Sequence, residues 1–235
     1  MTFRLPVMML VMFTLVALII WGRSASEYHV PASQEVSTEW SERQMLLYRA
    51  MAGPVPAIAA DLAVLEVFNI YANSQQTPLS SKDIWWSQLH NQLRTGQAMD
   101  PYFRDIYRLT EGLLAYEANK MQASVDLLSK SEPYLNSSDP LLIASFIAHQ
   151  ELHNDELAFE LANRASQKPD AQPFTVGFAS SLLKKNSGCR AALQFLAYRL
   201  ESMPEKYQQG IRNRIKRLQS DAACKNDMNG AQVSN

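Results

Sequence analysis

Residues 139–169 read DPLLIASFIAHQELHNDELAFELANRASQKP, and the reading of the whole chain grows from them. Asp139-Pro140 is a helix-start signal, because an Asp side chain can accept from unsatisfied amides while Pro fits the first helical position. An apolar run from Leu141 to Leu152 follows, then the turn-like His153-Asn154-Asp155, then a second run from Leu157 to Ala165 before Lys168-Pro169. The pattern is helix, short turn, helix.

The same order lies on either side. Asp100-Pro101 opens a run through Phe103, Ile106, Tyr107, Leu113 and Tyr116, and after Asn119-Lys120 a second run carries Ala123, Val125, Leu127 and Leu128. Pro173 to Leu183, the turn Lys185-Asn186-Ser187-Gly188 and Ala191 to Leu200 form a third pair, ended by Pro204. The second helix of each pair has small residues at helical spacing (Ala123; Ala158, Ala162 and Ala165; Ala192), which let neighbouring helices approach closely. Eight Gly in 235 residues and few β-branched runs favour an all-α chain.

Upstream, residues 40–99 are expected to supply the first helices of the soluble domain. One starts near Ser41 and ends at Gly53-Pro54. Ala57–Ala72 reads as a helix buried between neighbours, with Asp61 and Glu66 at an exposed edge or paired. Lys82–Thr95 carries Trp85, Trp86, Leu89 and Leu93 as its stripe, and Gly96 is expected to close it. Downstream, Glu205–Leu218 bears Lys206, Arg212, Arg214, Lys216 and Arg217 and reads as the polar cap of the repeat region, 100–224. Arg212, Arg214, Lys216 and Arg217 form a basic surface that suits an acidic partner or anionic lipid. Residues 225–235, KNDMNGAQVSN, read as a disordered tail.

The N-terminus is of another character. Leu5 to Trp21 contains no charged residue across seventeen positions, and as a helix it would reach about 26 Å, near the thickness of a bilayer's hydrocarbon core. Residues 1–23 are therefore expected to be a single transmembrane signal-anchor, followed by a polar linker over 24–39. Ser24-Ala25-Ser26 is a weak version of a signal-peptide exit, and the apolar run is longer than such peptides usually have.

The two cysteines bear on orientation. Cys189 precedes the run Arg190–Ser202, and Cys224 follows Glu205–Leu218. Two antiparallel helices turning at Met203-Pro204 would bring both thiols to one open end, where a disulfide would close the hairpin. The alternative is two unrelated small apolar side chains. A disulfide would favour an oxidising compartment, with the N-terminus inside.

Charge and motifs exclude more than they assign. A net charge of −1 argues against a nucleic-acid binder. Residues 100–170 hold twelve acids against six bases, whereas 171–235 hold four against ten. A solvated surface accounts for this asymmetry, as would two different partners or head-to-tail pairing of copies in a homo-oligomer. His149 and His153 share a helix face, yet no third ligand is indicated and no metal or cofactor is expected. There is no Gly-x-Ser-x-Gly elbow and no phosphate-cradling Gly loop. Asn136-Ser137-Ser138 matches a glycosylation acceptor, which matters only in a eukaryotic secretory setting.

With these pairs and the Trp86-Ser87-Gln88-Leu89 opening, the chain resembles tetratricopeptide-repeat proteins, although Phe146 stands where a small residue is usual. The resemblance implies a TPR-like α-solenoid over about 100–204. More narrowly, an N-terminal anchor followed by Asp100-Pro101-Tyr102-Phe103 and degenerate pairs is similar to membrane-tethered bacterial repeat proteins. That likeness implies a non-enzymatic scaffold for protein partners in a cell-envelope complex, anchored in the inner membrane with its soluble domain in the periplasm. The alternative is an enzyme, or an accessory subunit of a membrane enzyme, with Asp61, Glu66 or Glu111 inside a helical cavity.

Overall fold

The computed structural model describes residues 56–78 and 82–225, and all of its described elements are helical. The expected anchor over 1–23, the linker over 24–39, the helix ending at Gly53-Pro54 and the tail beyond 225 lie outside the described residues. Among the described residues no helix is long and apolar enough to cross a membrane.

In chain order the helices are α1 (Pro56–Gln76), α2 (Lys82–Met99), α3 (Arg104–Leu109) continuing into a π-helical stretch (Thr110–Glu117), α4 (Met121–Ser129), α5 (Asp139–Gln150), α6 (Asp155–Ser166), α7 (Pro173–Ser202) and α8 (Glu205–Ser220). From α4 to α8 each helix packs on the one before it, and α4 packs on the π-helical stretch. Two buried clusters result. The larger runs from Val67 on α1 to Leu182 on α7 and holds Leu114, Leu128, Ile147 and Leu161. The smaller joins α7 to α8 through Val176, Leu196, Ile211, Leu218 and the two cysteines.

The turns follow from local chemistry. Asn119 and His153 adopt positive φ, 53° and 51°, a conformation that Asn and His accept more readily than most residues. Lys120 N–H then returns to the Leu114 carbonyl, and Asn154 N–H to the Ala148 carbonyl, so two helix ends are closed alike. Asn154 Oδ1 caps α6 by accepting from Leu157 N–H at 3.0 Å. The third turn is sharper: helical geometry within α7 breaks at Gly188 alone, with φ 84° and ψ 176°. A side chain strains that conformation at a cost of about 1–3 kcal/mol. Gly188→Ala is therefore expected to lower the unfolding free energy by that amount, measured by chemical denaturation, while Gly112→Ala, where a Cβ meets nothing within 4 Å, is not.

Several expectations are corrected. α2 does not stop at Gly96 but runs to Met99, because Gly96 serves close packing rather than capping. A Cβ there would lie 3.0 Å from Ile106 Cδ1 and 3.4 Å from Ala63 Cβ. α1 is not buried between neighbours. It lays Ala60, Ala63, Val67 and Ile70 inward and leaves Ile58, Leu62, Leu65 and Phe68 exposed. Asp139 does not cap α5; it lies inside the helix, and the Ser138 N–H before it is taken by Asp170 Oδ1 at 2.7 Å. Asp100 accepts from Tyr102 N–H at 3.0 Å, but it shapes a turn and α3 begins only at Arg104.

Polar ties lace one pair to the next. Arg164 donates to Glu132 across 32 positions, and Lys168 Nζ reaches the Leu135 carbonyl at 2.7 Å across 33. Asp170 accepts from Ser137 Oγ at 2.9 Å, so that Ser of the glycosylation triplet is engaged in the fold. Arg199 is buried and donates to the Ser166 carbonyl, again across 33 positions, and burial pushes its guanidinium below the usual range.

The cysteines pair as their positions in the sequence suggested. Cys189 and Cys224 form a disulfide with Cα atoms 5.2 Å apart. It closes the hairpin of α7 and α8 at the end opposite Met203-Pro204.

Candidate partner-binding groove

Two pockets open on neighbouring faces of the helical stack. The first, about 290 Å³, lies between α3 with its π-helical continuation and α5. The second, about 380 Å³, lies between the first half of α7 and α8. Phe146 unites them: it lines the first pocket and packs on Phe178 and Phe174 of the second, with ring centroids 4.3 Å and 6.0 Å apart.

The lining positions recur. Arg104, Tyr107, Arg108 and Glu111 are followed by Asp139, Leu142, Ile143 and Phe146 on the next pair, each displaced by 35 residues. Phe174, Gly177, Phe178 and Ser181 continue at the same interval, and Gly210, Asn213, Arg214 and Arg217 follow after 36. Each quartet spans i, i+3, i+4 and i+7, which is one face of a helix. α8 thus takes the structural place of the first helix of a further pair, and its inner face lines a pocket. Gly210 sets that contact, since a Cβ there would lie 3.0 Å from Pro173 Cβ.

Along these faces the chemistry changes from mixed charge to apolar to aromatic to basic. Glu111 and Asp139 face each other across the first pocket, and burial, with Asp139 adding repulsion, holds the Glu111 carboxyl above its usual range. The folded state therefore disfavours ionised Glu111, and this cost appears as pH rises through the ordinary Glu range. Glu111→Gln is expected to raise the melting temperature near neutral pH by on the order of 1 °C, a small change because the group is half exposed. The gain should vanish in acid, where the Glu111 carboxyl is protonated; melts of both proteins at the two pH values measure it.

The residues singled out in the sequence are dispersed. Of the four basic residues, Arg214 and Arg217 line the second pocket, whereas Arg212 and Lys216 are exposed and line neither. Arg212 donates to Gln208 at 3.1 Å along α8. Of the three acids, Asp61 is exposed on α1, and Glu66 is half exposed and accepts from Asn69 at 3.4 Å. Of the three, Glu111 alone lines one of these two pockets.

His149 and His153 do not share a helix face, because α5 ends at Gln150 and His153 occupies the turn. His149 Nδ1 pairs with Asp155 Oδ1 at 2.5 Å, and Lys185 reaches the other Asp155 oxygen at 2.5 Å. Lys185 first, then His149, holds the Asp155 carboxyl below its usual range. Among the described residues no group of three or more His, Cys, Asp or Glu is placed to hold a metal ion.

Comparison with family models, with curated proteins and with solved structures finds no match.

Proposed function

We propose that this chain is a membrane-anchored, non-enzymatic adaptor that uses a TPR-like helical surface to hold protein partners in a cell-envelope complex. The observation that carries the reading is the pair of adjoining pockets lined by matching helix positions at 35- and 36-residue intervals. Tetratricopeptide units repeat at about 34 residues, close to that spacing, and stacked units build extended binding surfaces. The Cys189–Cys224 disulfide supports a soluble domain on the periplasmic side, because such bonds persist in oxidising compartments. Leu5–Trp21 supports a single-pass anchor in the inner membrane with its N-terminus inside.

The test is site-specific crosslinking in native membranes. A photo-reactive residue at Phe174, exposed in the groove, is expected to capture a partner protein, whereas one at Tyr198, equally exposed but away from both pockets, is not. Capture of nothing at Phe174 in native membranes would count against the adaptor.

One observation favours a second reading, an enzyme or an accessory subunit of a membrane enzyme: Glu111 lines a cavity beside Asp139 with its carboxyl held up. Glu111→Gln separates the two, since an adaptor keeps its function in cells and a carboxyl-dependent enzyme loses it.

A further inference from the structure

The α7–α8 pocket brings two arginines together beside an aromatic wall. Arg214 donates to the uncharged Ser181 Oγ, and its Nε is buried with no hydrogen-bond partner. Neither Arg214 nor Arg217 enters an ion pair among the described residues. Asp221, beside them in the adjoining pocket, is held by Lys184 at 2.6 Å. Two guanidinium groups one helical turn apart thus border a cavity whose lining includes Phe174, Phe178 and Pro173 as well as the polar Ser181 and Asn213.

We propose that this pocket is the recognition site for an acidic, aromatic-bearing segment of a partner protein. Carboxylates would take the guanidinium groups in fork-to-fork pairing, and an aromatic side chain would lie on the exposed Phe174. Charge complementarity selects this occupant. Residues 171–235 carry ten bases against four acids, and among the described residues the arginines that line the pocket enter no ion pair. A lipid surface fits less well, because Arg212 and Lys216, exposed on the same helix, would serve a membrane equally, whereas only Arg214 and Arg217 enter the pocket. The assignment rests on the groove being the partner surface and adds the partner's chemistry.

The probe is a Glu-Asp-Phe-Glu-Asp-amide carrying fluorescein on its N-terminal amine, titrated by anisotropy against the full chain in zwitterionic micelles. Losing one charge-assisted hydrogen bond weakens affinity by roughly 10- to 100-fold. Arg214→Glu with Arg217→Glu is expected to weaken binding at least tenfold, and Arg212→Glu with Lys216→Glu less than twofold. The Gln-Asn-Phe-Gln-Asn peptide is expected to bind as weakly as the doubly reversed variant binds the acidic one. Circular dichroism melts establish that both variants fold, and single reversals replace any that does not. No binding of the acidic peptide overturns the assignment, as does equal loss in both variants. Association with phosphatidylglycerol vesicles that depends on Arg214 and Arg217, without peptide binding, also overturns it. Partner capture at Phe174 with no acidic-peptide binding leaves the adaptor standing and rejects only this chemistry.

Discussion

Removing the disulfide by Cys189→Ala with Cys224→Ala is expected to detach α8 from the stack before the remaining helices unfold. The bond closes a loop with sequence separation 35, for which the chain-entropy relation gives about 4 kcal/mol. That is large against the few side chains it reinforces, since the α7–α8 cluster has only Val176, Leu196, Ile211 and a few others buried beside the cysteines. Neither cysteine reaches water appreciably, Cys224 being 0% exposed, so the substitution also removes buried contact. Hydrogen exchange should show residues 205–220 losing protection while α4 to α6 keep theirs. Reduction of the wild-type chain should reproduce the effect. Uniform loss of protection across the whole chain would show that the two clusters unfold as one.

The same hairpin marks how far residue types alone lead. Its two helices, the Met203-Pro204 turn and the shared end of the thiols all followed from apolar periodicity and the breaker, because local geometry dictates them. The three helix pairs were legible for the same reason. Gly96 was misread since a helix-ending and a helix-packing glycine look alike until the partner, Ile106, is placed. The π-helical stretch at Thr110–Glu117 left no signal in the periodicity of its apolar residues.

The groove was harder to see. At equivalent positions Arg104, Asp139, Phe174 and Gly210 share nothing in chemistry. A surface open to solvent varies its side chains while the buried face keeps them small or apolar, so the repeat is one of position. A helical projection of α8 would have separated Arg214 and Arg217, which share a face with Gly210 and Asn213, from Arg212 and Lys216. Phe146, the residue out of place for a packing repeat, is the one that joins the two pockets.

Ile147→Ala is expected to have the other large effect, and of a different kind. Ile147 is fully buried in the larger cluster on α5, midway along the stack. Its carbonyl accepts from Glu151 and Leu152 where the helix ends. Truncation leaves a cavity costing about 2–5 kcal/mol, which lowers the melting temperature by roughly 5–15 °C in a domain of this size. Because α5 packs on α4 and on α6, helices on both sides lose a neighbour. In a stack held by nearest-neighbour contacts, a defect at the centre weakens coupling between the ends, while one at a terminus does not. Ile147→Ala should therefore broaden the denaturant transition and lower its slope, since the halves part company. The cysteine variant should keep the main slope and add a separate, earlier step for α8. Equal slopes in the two variants would mean that the described helices form a single cooperative unit. In that case the groove could not open at one pocket without disturbing the other.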